Sequence, residues 1–147
     1  MANYESVTRT NYFRVTDEKR YEELYNRLRG YADQIYPFDK KTEDGTILHG
    51  FGSYGEIEYY PPELENEEDC DSTDLDIHNF YRELQKILPD NEVFILEQIG
   101  DENLRYLTAY AHLVTNKEIR QIVLHEEIKN MAKELTGNKD YTLNIEY

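Results

Sequence analysis

Residues 49–56 read HGFGSYGE and carry two nucleotide-binding spacings at once. Gly50, Gly52 and Gly55 fit G-x-G-x-x-G, while His49-Gly50-Phe51-Gly52 follows the opening of the RNA-recognition signature. The dinucleotide fingerprint works only where its glycines lead into a helix, because the pyrophosphate rests on the helix N-terminus. Here they lead into Glu56-Ile57-Glu58-Tyr59-Tyr60, which alternates like a strand, stops at Pro61-Pro62, and carries two carboxylates that repel phosphate. An RNA platform needs stacking rings and positive charge. Ser53 and Glu56 stand where its further rings belong. The stretch is therefore expected to be structural, with Gly52-Ser53-Tyr54-Gly55 as a tight hairpin turn and Gly50 as a bulge or a site of close packing.

Other groupings give no reaction. Asp69, Asp71, Asp74 and Asp76 are spaced closely enough for calcium, but no register places the glycine and the terminal glutamate of an EF-hand loop. His49, His78, His112 and His125 are scattered singly, without the spacing of a zinc site. Cys70 sits between Asp69 and Asp71, whose charges hold a thiol protonated. No catalytic residue, cofactor or metal is assigned. Tyr106, Tyr110 and His112 share one face of an expected strand opposite Leu107, Ala109, Ala111 and Leu113. They read either as a contact patch or as rings covering the sheet beneath a helix.

Charge is more informative. Of 31 acidic residues in a chain of net charge −15, twelve fall between Lys41 and Arg82, where there is no Lys or Arg. The remaining 19 acids face 16 basic residues, so one strongly negative sector is set in a nearly neutral background. Such a field repels nucleic acid and anionic membranes and attracts basic partners. The candidate partner-binding residues are Glu56, Glu58, Tyr59, Tyr60, Glu63, Glu65, Glu67, Glu68, Asp69, Asp71, Asp74 and Asp76. The expected partner is a basic protein; direct binding to nucleic acid or membrane is not expected.

These residues need a scaffold. A chain of 147 residues suits a single domain spanning 1–147, with an acidic, almost apolar-free loop at about 62–74. The β-rich run Thr10–Thr16 predicts a strand, and Thr16 or Asp17 caps a helix over 17–29 with Tyr21, Leu24, Tyr25 and Leu28 on its apolar face. Asp44-Gly45 predicts a turn into a strand over 46–51, and Ile57–Tyr60 a further short strand. Asp74 or Asp76 caps a second helix whose stripe is Ile77, Phe80, Tyr81, Leu84, Ile87 and Leu88. Strands are expected over 93–99, 104–114 and 117–123, a third helix from Leu124 to Gly137, and a closing strand over 141–147. The fold class is α+β, a mostly antiparallel sheet with about three helices on one face and a ferredoxin-like beginning. One cysteine and no apolar leader or long hydrophobic run point to a cytoplasmic protein.

The stretches Asn11–Asp17, His49–Tyr54 and Leu104–Ala111 resemble those of small acidic, mostly uncharacterised proteins of Gram-positive mobile elements. Similar acidic proteins on such elements include inhibitors of CRISPR nucleases and of restriction enzymes. That resemblance implies a non-enzymatic inhibitor that imitates nucleic acid and docks in the basic groove of a nuclease, an RNA-guided CRISPR effector among them. The charge pattern alone also fits an immunity or regulatory protein that neutralises a basic toxin or partner. A small carboxylate- or metal-dependent enzyme is the third reading.

Overall fold

The computed structural model describes residues 4–62, 75–103 and 106–140. In chain order the strands are β1 (Tyr4–Thr10), β2 (Leu28–Arg29), β3 (Tyr36–Pro37), β4 (Lys40–Lys41), β5 (Ile47–Leu48), β6 (Phe51–Ser53), β7 (Glu58–Tyr59), β8 (Phe94–Glu102), β9 (Tyr106–Val114) and β10 (Ile119–Val123). The helices are α1 (Glu18–Tyr25), α2 (Ile77–Gln85) and α3 (Leu124–Thr136). Six strands form one sheet in the order β10-β9-β8-β1-β6-β3, and two small two-stranded ladders, β2-β7 and β4-β5, stand beside it. Every pairing among the described strands is antiparallel, so the fold is α+β with a mainly antiparallel sheet. The element order begins strand, helix, short strands, helix, strand, with β1 antiparallel to both of its neighbours.

Period-two alternation along the long strands divides the sheet into two faces. Phe94, Leu96 and Gln98 of β8, Thr8 and Thr10 of β1, and His112 and Val114 of β9 are buried on the inner face. There α1 supplies Tyr21 and Leu24 and α2 supplies Phe80, Tyr81 and Leu84, as the stripe on α2 predicts. Phe13, Phe51, Phe80, Tyr81 and Phe94 form an edge-to-face and tilted ring cluster at its centre. Arg20 of α1 reaches Glu83 of α2 at 3.0 Å, bridging the two helices over this core. His112 is buried beneath α2, with Nδ1 2.6 Å from the Tyr81 hydroxyl. Tyr110 is partly buried on the same side, so His112 and Tyr110 cover the sheet as one of the two sequence readings has it, whereas Tyr106 stays exposed.

The first strand is displaced from its expected position. It occupies Tyr4–Thr10, and Asn11–Thr16 leaves the ladder despite its strand-forming residues. Asn11 marks the change: its backbone amide still donates to the Ile95 carbonyl at 3.0 Å, but its side chain accepts from the Ile95 amide at 2.8 Å and donates to the Val93 carbonyl at 3.0 Å, taking bonds that a continuing strand backbone would make. α1 is capped by Asp17, which accepts from the Arg20 amide at 3.0 Å, but it ends at Tyr25, and Leu28 enters β2. The turn expected at Gly52–Gly55 is also shorter. Gly52 and Ser53 are strand residues paired with Arg9 and Thr8, and the reversal falls at Tyr54-Gly55, where Gly55 has φ of +140°. Gly50 is indeed a close-packing site, since a Cβ there would meet the Phe38 ring at 2.4 Å. α3 runs from Leu124 to a left-handed Gly137. The acidic loop from Glu63 to Asp74 and the strand expected over 141–147 lie outside the described residues. No helix among the described residues is long and apolar enough to cross a membrane.

Candidate binding groove

The outer face of the sheet carries Glu5, Val7 and Arg9 on β1 beside Asp101, Ile99 and Glu97 on β8, matched pair by pair in the register. Because β6 stops at Ser53 and Gly55 turns the chain aside, the first half of β1 borders an open space. The segment Tyr54–Tyr60 and the turn Arg29–Asp33 form its far wall. The result is a groove of about 1280 Å³.

Six carboxylates line it: Glu5, Asp33, Glu56, Glu58, Glu97 and Asp101. The two cations present, Arg9 and Arg29, are turned to other work. Arg9 lies over the Phe38 ring at 4.5 Å, and Arg29 gives Nη1 to the carbonyls of Asn26 and Leu28 at 2.6 and 2.8 Å with its guanidinium 5.9 Å from the Tyr60 ring. Among the described residues, none of the six carboxylates has a Lys, Arg or His nitrogen within ion-pairing distance. Their field is thus directed into the groove, where the low-dielectric wall strengthens it.

The walls also present rings. Tyr31 and Tyr54 are 75% and 70% exposed. The placement of Tyr31 comes from unusual backbone: Ala32 and Asp33 both have positive φ, 55° and 59°, in a turn packed against Ser53 and Gly55. Gly30 permits that packing, because a Cβ there would meet Gln34 O and Ser53 Oγ at 2.3 Å. Left-handed non-glycine residues each carry strain of about 1–3 kcal/mol. The surrounding contacts hold the turn in that shape and keep Tyr31 and Asp33 at the groove mouth.

The residues singled out from sequence distribute unevenly. Glu56, Glu58 and Tyr60 line the groove. Tyr59 does not: it is 1% exposed, packed against Phe80, and belongs to the core because β7 pairs with β2 and turns that side chain inward. Asp76 caps α2, accepting from the His78 amide at 2.9 Å. Burial opposes ionisation of Asp76, but the bonds from His78 outweigh it and hold the carboxyl below the usual range. Glu63, Glu65, Glu67, Glu68, Asp69, Asp71 and Asp74 lie outside the described residues. Conversely, Glu5, Asp33, Glu97 and Asp101 come from outside the acid-rich sector, so charge density along the chain does not mark them. β8 runs on through Glu102, past the expected strand end at Ile99, and the alternation Glu97-x-Ile99-x-Asp101 is a local signal that two of them share an exposed face.

A second polar cluster lies on the inner face beyond α2. Tyr110 donates to Gln98 Oε1 at 2.5 Å, and His112 Nε2 faces Gln121 Oε1 at 3.1 Å. Elsewhere His49, buried against the Tyr21 ring, has Nε2 2.6 Å from Glu18 and Nδ1 3.4 Å from Asp39. Burial first, then the charges of Asp39, Tyr25 and Glu18, push the Tyr21 phenol well above its ordinary range. This arrangement ties α1 to β5 and the segment ahead of β4. Among the described residues no group of three metal-ligating side chains comes together.

No family model matches the chain, and the searches of curated proteins and of solved structures found no match.

Proposed function

We propose that this protein is a non-enzymatic acidic inhibitor that captures the basic nucleic-acid-contacting surface of a nuclease, an RNA-guided CRISPR effector being the leading target. The observation that carries the reading is the groove: six carboxylates from four separate segments line it, and among the described residues none of them is ion-paired. A nuclease holds nucleic acid with arginines and lysines aimed at phosphates. A concave acidic surface with exposed tyrosines offers those side chains competing partners, by charge at long range and by carboxylate and ring contacts at short range. Glu56 and Glu58 belong to the acid-rich sector of the sequence.

The test is inhibition of an RNA-guided nuclease, with duplex DNA as competitor. Excess duplex is expected to displace the protein. A variant carrying Glu5→Gln, Glu56→Gln, Glu58→Gln and Asp101→Asn is expected to lose affinity by about a hundredfold or more, since charged contacts at interfaces carry about 1–3 kcal/mol each. Equal inhibition by that variant would overturn the reading. The groove's concavity favours a second reading, an immunity protein that takes a projecting basic segment of a toxin. Capture of the partner unaffected by duplex DNA would favour it.

A further inference from the structure

We propose that the groove takes its partner as an added β-strand: an extended, arginine-bearing segment bonded to the edge of β1 at Tyr4–Val7, which none of the described strands pairs. This rests on the acidic-groove reading and specifies how the partner is held.

The edge follows from the register. β1 pairs with β8 along its whole length, from Tyr4 opposite Glu102 to Thr10 opposite Leu96. On its other side it pairs with β6 only at Thr8 and Arg9. Just past the end of β1, the Asn11 amide donates to the Ile95 carbonyl at 3.0 Å, toward β8. Backbone groups alternate direction along a strand. The odd-numbered residues of β1 therefore bond toward β8, and the amide and carbonyl of Ser6 point the other way, into the groove that Ser6 lines. Among the described residues no backbone bond is recorded on that side of Ser6. A strand edge left open inside a groove is a template for an incoming strand.

Charge complementarity names the occupant. A strand laid beside β1 at ~4.8 Å would have alternate side chains on the outer face next to Glu5, with Asp101 one strand further and Glu56 and Glu58 on the opposite wall. Arginine suits this setting better than lysine, because its planar fork engages a carboxylate bidentately and its face stacks on an aromatic ring. The molecule already makes the second contact internally, with Arg9 over Phe38 and Arg29 near Tyr60. Tyr31 and Tyr54 stand exposed to do the same for a partner.

The experiment uses the full chain and a synthetic peptide of about ten residues alternating arginine with threonine. Amide hydrogen exchange at Ser6 is expected to slow by about tenfold or more on peptide binding. Ser6→Pro removes a single groove-facing N–H and no bond to β8, so it is expected to keep the circular-dichroism spectrum and weaken the peptide by about tenfold. Should that variant not fold, a peptide N-methylated at alternate residues gives the same readout on the native chain. Binding with unchanged Ser6 exchange, or full affinity of the N-methylated peptide, would overturn strand addition and leave the acidic groove standing. Equal affinity for the lysine–threonine peptide would overturn the preference for arginine. If neutralising Glu5, Glu56, Glu58 and Asp101 leaves peptide affinity intact, the groove reading itself fails.

Discussion

His112 shows how a single side chain takes its state from its surroundings. Burial, and then the nearby charge of His78, hold this imidazole below its ordinary value. Neutral imidazole satisfies both neighbours, donating from Nε2 to Gln121 Oε1 and accepting at Nδ1 from the Tyr81 hydroxyl. The unfolded chain takes up this proton near pH ~6.5, before the folded one does. Stability from this group is therefore complete above that value and drains away as the pH falls through it. The thermal midpoint is expected to drop between about pH 7 and about pH 5.5, and to drop less in His112→Gln. An equal drop in the variant would place the titration elsewhere. Tyr59 carries the opposite lesson about reading residues singly: its neighbour Tyr60 reaches the groove while it fills the core.

Elements here are set by caps and by side chains that compete with the backbone. α2 begins at Asp76, whose carboxylate takes the His78 amide, and its apolar stripe then closes the core over β8 and β9. Asp76→Ala is expected to lower the unfolding free energy by about 1 kcal/mol in urea titration. No change would mean that burial of Phe80, Tyr81 and Leu84 alone fixes the start of the helix. β1 ends where Asn11 turns its amide group onto the Val93 and Ile95 backbone. The same device frees Phe13 to bridge His49 and plunge into the ring cluster. β6 is short for a different reason: Gly55 sends the chain away from β1, and that early exit leaves both the groove and the half of the β1 edge that no described strand pairs.

At the scale of the whole molecule, a net charge of −15 makes association with any basic partner long-ranged and sensitive to salt. Raising sodium chloride from about 50 mM to about 500 mM is expected to weaken nuclease binding by about tenfold or more, mainly through slower association. The groove variant with four carboxylates removed is expected to show a flatter salt dependence. Parallel dependences in the two proteins would assign the electrostatics to charges outside the groove.

The sequence by itself determined the class of the fold and the sign of the surface. Helices opening at Thr16 or Asp17 and at Asp74 or Asp76, the turn at Asp44-Gly45, the stripe on α2 and the long alternating strands were legible because each rests on a cap, a turn or a period within a few residues. The local character of HGFGSYGE as backbone structure was legible for the same reason. Strand ends were not, because Asn11 and Gly55 act through partners 40 or more positions away in sequence. The groove was legible only at Glu56, Glu58 and Tyr60. Its other carboxylates meet because β1 lies antiparallel to β8, setting Glu5 opposite Asp101 and Arg9 opposite Glu97. Register across strands is a tertiary property: a slip of one residue would turn those side chains to the other face, and nothing local to either segment records which pairing the core selects.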